Sequence, residues 1–277
     1  MEIRELLDQT DKLPNVPDVV RELIQQLNNP NADYGEIATK VSKDQTMSLK
    51  ILRLVNSAHF GLSRKVSSID EAVVMLGMAR LKTMVIASGI AGSVKEVEGL
   101  DLKKFWSEAF LVATAARWAA NFSNKADPDI AFTVGLIHNI GRLLLHLAKP
   151  KLALAIQTRI EQDKTSRSAA EMERLGFITP QAGQALLDFW KFPAEMGEAV
   201  LQHKAPANFE EPSAIAACIN IGCIINAAQR NELTVEDITP KFSEELLNIA
   251  GISNEMLDSL EDALALESGM ESLAEAA

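Results

Sequence analysis

Six side chains, four imidazoles and two thiols, are the strongest nitrogen or sulfur ligands for a metal: His59, His138, His146, His203, Cys218 and Cys223. His138 differs from the rest by its surroundings. With Asn139 it interrupts Ile130-Ala131-Phe132-Thr133-Val134-Gly135-Leu136-Ile137-His138-Asn139-Ile140-Gly141-Arg142-Leu143-Leu144-Leu145, a run otherwise almost wholly apolar. Such a run is too short for a membrane span and predicts one buried helix. Buried polar groups cost free energy unless each finds a hydrogen-bond partner. The pair therefore marks either the centre of a polar site or a core position with two satisfied side chains. On a continuous helix His146 would lie about 80° round from His138. Cys218 and Cys223 would lie about 140° apart. They match no zinc-ligand spacing and no disulfide framework, and are expected as reduced, buried thiols.

The elements that must hold these residues read as helices throughout. Hydrophobic residues are 47% of the 277, and aromatics only 5%, so core volume must come from Leu, Ile, Val, Ala and Met. The formal net charge is -11, with no basic block. That balance disfavours binding to a phosphate backbone or an anionic membrane surface. The first residues lack the basic and apolar regions of a signal peptide, and no apolar run of membrane length is evident; a cytoplasmic protein is expected.

Leu13-Pro14-Asn15-Val16-Pro17 is a rigid, non-helical entry. Val19, Val20, Leu23, Ile24 and Leu27 follow at helical spacing, then Ile37, Ala38 and Val41, then a helix over about 46–55. Asn56-Ser57-Ala58-His59-Phe60-Gly61 breaks the chain. Ser68 to Glu71 has a capping-box pattern, as does Ser168 to Glu171. A helix is expected over 79–91, and the polar stretch from Gly92 to Gly99 is the best boundary between two units. Asp101 should cap a long helix. Asp127 with Pro128, and Thr179 with Pro180, should open two more. The stretch from Ser213 to Gln229 is apolar on nearly every face and should be central. The tail from Ser253 is acidic and should form a surface helix. No alternating strand, fixed-period repeat, Walker loop, GxGxxG, G-x-S-x-G or H-E-x-x-H is present.

Several of these stretches together resemble the HDOD family, the HD-related output domain of bacterial signalling proteins. They are Leu13 to Pro17, Asp44-Gln45-Thr46-Met47, Ile51 to Phe60, Ile69 to Gly77, Phe105-Trp106-Ser107, Gly135 to Gly141, and Asp188 to Pro193 leading to His203. The resemblance spans about 13–207. It implies an all-α protein, with an N-terminal helical bundle (1–95) packed on a C-terminal HD-like helical unit (96–277) that ends in an acidic helix.

In the HD phosphohydrolase superfamily a His-Asp pair on a buried helix ligates metal. Here the Asp position is Asn139, and a neutral amide is a poor substitute for a carboxylate toward hard divalent ions. No histidine stands near Trp106-Ser107, and Ile178-Thr179-Pro180 replaces another. His138 and His203 remain as ligand types, and two imidazoles alone bind a divalent ion weakly. The expectation is a vestigial pocket lined by His138, Asn139, Thr179 and His203, with no catalytic residue, no metal and no cofactor. The implied work is non-enzymatic signal transduction, by recognition of a regulatory or signalling protein through a surface between the two units, with a small ligand as an alternative occupant of the pocket. No nucleic acid and no membrane are implied. The rival reading is a metal-dependent phosphohydrolase acting on a nucleotide or cyclic dinucleotide.

Overall fold

The computed structural model describes residues 1–8, 20, 34–43, 45–56, 64–77, 81, 85, 89, 94 and 96–267. The expectations for 13–17, for the turn at 57–61 with His59, and for most of the stripe from Val19 and the helix over 79–91 lie outside them. Every described element is helical, and one isolated bridge, Ser123 to Ile252, is the only extended pairing among the described residues.

α1 (Arg4–Leu7) opens the chain; Leu6 is buried, and the Met1 amino group donates to the Leu175 carbonyl at 3.3 Å. α2 (Tyr34–Lys43), α3 (Gln45–Val55) and α4 (Ile69–Leu76) pack on one another. Met47, Ile51 and Val55, four residues apart, form the buried stripe of α3. Asn56 ends that helix as its chemistry predicts: Nδ2 donates to the Leu52 and Val66 carbonyls, and Oδ1 accepts from the Val66 N–H. Ser68 caps α4 by accepting from the Glu71 N–H, while the Glu71 carboxylate takes the Ser67 N–H.

The larger body is built on α5 (Leu102–Ala120), capped by Asp101. Its alanines 109, 113, 115, 116, 119 and 120 are buried and admit close neighbours: α6 (Pro128–Ile137) on one side and α12 (Ala214–Arg230) on the other. Asp127 caps α6 with Pro128 in its first turn, and Ser213 caps α12. α7 (Ile140–Ala148), α8 (Pro150–Asp163), α9 (Arg167–Leu175), α10 (Thr179–Phe189) and α11 (Ala194–Gln202) complete the body around the site. α1 leans on α7. The short α13 (Val235–Ile238), α14 (Glu244–Ala250) and α15 (Leu260–Leu264) close the far end of α12. Instead of one surface helix from Ser253, the chain makes a 3-10 turn, Asn254–Ser259, and then α15, whose Leu260 and Ala263 are buried.

Three local expectations are corrected. The apolar run is two helices with a break at His138 and Asn139. His138 Nδ1–H donates to the Gly135 carbonyl, the acceptor a continuing helix would offer to the Asn139 N–H. Asn139 then sits at φ -99, ψ 13. Taken together, Pro128–Ala148 does have the length and apolarity of a membrane span, but 78% of its apolar window is buried inside the fold. Ser166, in place of Ser168, caps α9, which releases Glu171 for another use. Ile178, in place of Thr179, occupies the N-cap of α10, and the Gln181 side chain accepts its N–H.

Candidate functional site

The two histidines are positioned by one device used twice. At the end of α6, His138 Nδ1 reaches the Gly135 carbonyl at 2.5 Å. At the end of α11, His203 Nδ1 reaches the Val200 carbonyl at 2.7 Å. Each ring folds back over the last turn of its own helix and satisfies a carbonyl that turn leaves open. Nδ1 must carry the proton to donate, so Nε2 keeps its lone pair on both rings. The rings meet edge to face, with centroids 5.2 Å apart. Both are buried, at 4% and 2% exposure.

Cys223 on α12 completes the group. One ring nitrogen of each histidine and Cys223 Sγ all lie within 4.8 Å of one another. Three residues earlier on α12, Asn220 Nδ2 donates to the His203 carbonyl at 2.8 Å and to the Lys204 carbonyl at 3.2 Å. Residues three apart share a helix face, so one face of α12 both grips the end of α11 and presents the thiol to its ring. Cys218 is buried elsewhere on the helix, and both cysteines are free.

A network of charged side chains reaches this group through Lys204. Glu171 on α9 is fully buried, and its carboxylate accepts the Thr179 N–H at 2.8 Å and the Thr179 hydroxyl at 2.9 Å. Arg167 lies 3.8 Å from the same carboxylate, and Arg230 lies 3.2 Å from Glu108. Arg142 and Lys204 are half-buried among them. Burial, then the neighbouring Arg167, pushes Arg142 down to about 10. Burial also lowers Lys204, with Glu171 opposing. Burial takes His138 down to about 4, opposed by its bond to Gly135 and helped by the field of Lys204. His203 is held well below the ordinary histidine range by burial and then by His138. Both imidazoles are therefore neutral at pH 7. Burial raises the Cys223 thiol to about 12, with Lys204 pulling the other way.

Of the four residues expected to line the pocket, His138 and His203 meet. The expectation that His138 is buried and hydrogen-bonded is met in this structure. Thr179 is buried, but its hydroxyl is directed to Glu171. Asn139 is half-buried and makes no side-chain cap bond to α7. His146 stands apart, with Nδ1 3.3 Å from the Glu98 carbonyl. Cys223 and Glu171 were missed. Sequence spacing within α12 could have put Asn220 and Cys223 on one face; only the tertiary fold brings that face to His203. An open depression lined by Lys125, Ala214, Glu244, Asn248 and their neighbours shares no residue with this group.

An HD phosphohydrolase centre would require oxygen ligands for hard divalent ions. Among the described residues no carboxylate joins the histidines within ligand distance. The donors here are two imidazoles and a thiol, and an oxygen-rich centre does not fit them.

The HDOD domain family model matches residues 13–206 of the chain. A Shewanella amazonensis protein, named provisionally as a phosphohydrolase, is 32% identical and superposes with a TM-score of 0.81, over 97% of this chain and 96% of that one. An HDOD domain protein of unknown function from Geobacter sulfurreducens shares the fold, with a TM-score of 0.78 at 20% identity, over 98% and 97% of the two chains. Among curated proteins, an uncharacterized protein of Treponema pallidum is 26% identical over 215 residues, 74% of this chain and 40% of that protein. The Vibrio cholerae protein named cyclic di-GMP phosphodiesterase CdgJ is 29% identical over 130 residues, 46% of this chain and 28% of that protein. The chain thus spans less than half the length of these curated relatives.

Proposed function

The chain belongs to the HDOD family, and from that premise we propose that it is a signalling module that recognises a regulatory protein and does not hydrolyse phosphoesters. One observation carries the reading: at the HD position His138 meets His203 and Cys223 in a group of two buried imidazoles and a thiol, with no carboxylate among the donors. Phosphoester hydrolysis needs large transition-state stabilisation, which a metal commonly supplies by neutralising charge and activating water. A buried, carboxylate-free donor set is poorly made for that task, and two rings in edge contact leave little room for a phosphoester between them. The fold then serves as a surface for recognition, in the cytoplasm.

The second reading, a phosphohydrolase acting on a nucleotide or cyclic dinucleotide, is favoured by the provisional name of the Shewanella amazonensis protein and by the name of CdgJ, of which this chain covers 28%. The two readings separate in one pair of assays. Purified protein is incubated with cyclic dinucleotides and nucleoside monophosphates in the presence of Mn, Fe or Ni ions. No turnover above buffer is expected; turnover that Asn139→Ala abolishes would overturn the proposal. Affinity capture from the native cell should yield a regulatory protein that, once purified, rebinds this chain directly with a measurable Kd.

A further inference from the structure

The donor set that rejects an oxygen-rich centre has a chemistry of its own. We propose that His138, His203 and Cys223 form a binding site for a borderline-soft metal ion of the Zn2+ class, held by two imidazole nitrogens and one thiolate. This inference stands apart from the recognition function and survives if that reading fails.

Three observations carry it. First, one ring nitrogen of each histidine, from the ends of two helices, and the Cys223 sulfur, from the face of a third, lie within 4.8 Å of one another. Around a tetrahedral Zn2+, with nitrogen at about 2.0–2.1 Å and sulfur at about 2.3 Å, ligand atoms lie roughly 3.3–3.8 Å apart. The group must close by about an ångström, within the reach of small torsional changes. Second, both histidines are prepared as ligands. Metal-bound histidine ordinarily donates its other ring N–H to a carbonyl or carboxylate, which fixes ring and tautomer. Here the Gly135 and Val200 carbonyls hold Nδ1, and Nε2 is left as the donor atom. Third, Asn220 ties α12 to the backbone of His203 and Lys204, so the thiol and its neighbouring ring are held in register by a separate bond.

Softness selects the ion. Thiolate with imidazole suits Zn2+ and disfavours Mg2+, which requires oxygen. The three protein ligands leave a fourth position for water. As the sulfur–metal bond forms, the thiol proton leaves to solvent, and no oxidant or reductant is required. Half-buried Cys223 gives the ion its way in, past the two buried rings.

The test uses the full chain, stripped with a chelator, dialysed against Zn2+ and passed through gel filtration before metal analysis. One equivalent of zinc should be retained. Co2+ in its place should give a sulfur-to-cobalt charge-transfer band. Cys223→Ser should remove that band and weaken Zn2+ binding by more than roughly a hundredfold, beyond the loss from removing a supporting hydrogen bond. Cys218→Ser should change neither. No retained ion in the parent protein, or Cys223→Ser with unchanged affinity and spectrum, overturns the site. Should that variant fail to fold, alkylation decides: Zn2+ should protect Cys223 of the parent protein, mapped by peptide, from iodoacetamide, and equal rates with and without Zn2+ overturn the proposal.

Discussion

Replacing Glu171 with alanine should destabilise this protein far more than its place on a nine-residue helix would imply. The carboxylate is fully buried and holds both the N–H and the hydroxyl of Thr179. Removing it leaves two buried donors without an acceptor, at roughly 1–3 kcal/mol each. Arg167, at 3.8 Å and with its side chain 24% exposed, keeps contact with water and adds little. Loss of one partner from a buried charged network typically costs about 3–5 kcal/mol, which agrees with the sum over the two donors. Glu171→Gln keeps an acceptor for the N–H and should cost about 1 kcal/mol. Glu173, two residues on, pairs with Arg159 at 3.1 Å but is 54% exposed. Glu173→Ala should stay within about 0.5 kcal/mol of the parent. Urea unfolding with a shared m-value reads all three. A Glu171→Ala variant within about 1 kcal/mol of the parent would refute the reasoning, because the two donors would then have found water or another acceptor.

Gly141→Ala should cost about 2 kcal/mol or more despite alanine's better helix propensity, since its Cβ would stand 2.0 Å from the Thr179 carbonyl and 2.6 Å from the Gly183 nitrogen, both backbone atoms; a raised Tm would contradict the packing. Gly176→Ala meets no atom within 4 Å but takes φ +82, and should lose only about 1 kcal/mol in the same melt. Asn220→Ala should lose about 1–2 kcal/mol in urea unfolding, because the carbonyls of His203 and Lys204 lose their donor. Stability should also fall with pH. His138 titrates near 6.5 when unfolded and at about 4 when folded, so its contribution is full above 6.5 and is lost as pH falls toward 4. The amount is roughly 3 kcal/mol, at about 1.4 kcal/mol per pH unit. His138→Gln should flatten that slope, and an unchanged slope would place the titration elsewhere.

The all-helical class and most helix starts were legible because their causes are local. Asp101, Asp127, Ser68 and Ser213 each accept a backbone N–H two or three residues ahead, and such a bond depends on nothing distant. The Ser168 pattern misled because Glu171, the residue that would complete the box, serves Thr179 on another helix. Thr179 misled for the same reason from the other side. The break at His138 was hidden because apolar periodicity does not register a side chain that takes its own helix's carbonyl. Trp106 packs edge-on to Phe105 at 5.0 Å, and among the described residues its buried Nε1 has no acceptor, an arrangement no sequence pattern signals. The meeting of Cys223 with the histidines lay beyond sequence because it is a property of three helices at once.

The folded-back imidazoles also bear on the order in which this molecule comes together. Each ring bonds a carbonyl only three positions away, so its pose belongs to contacts that close as soon as a helical turn exists. The encounter of the two rings, and of both with the thiol, is non-local and slower to form, because long stretches of chain must first be looped and docked. A ten-residue helix such as α6 is marginal on its own in water, so the His138 bond to Gly135 becomes durable only once neighbouring helices cover it. The pose of each ring is local in its contacts, but its persistence, like the proximity of the rings, depends on the docking of α11 and α12.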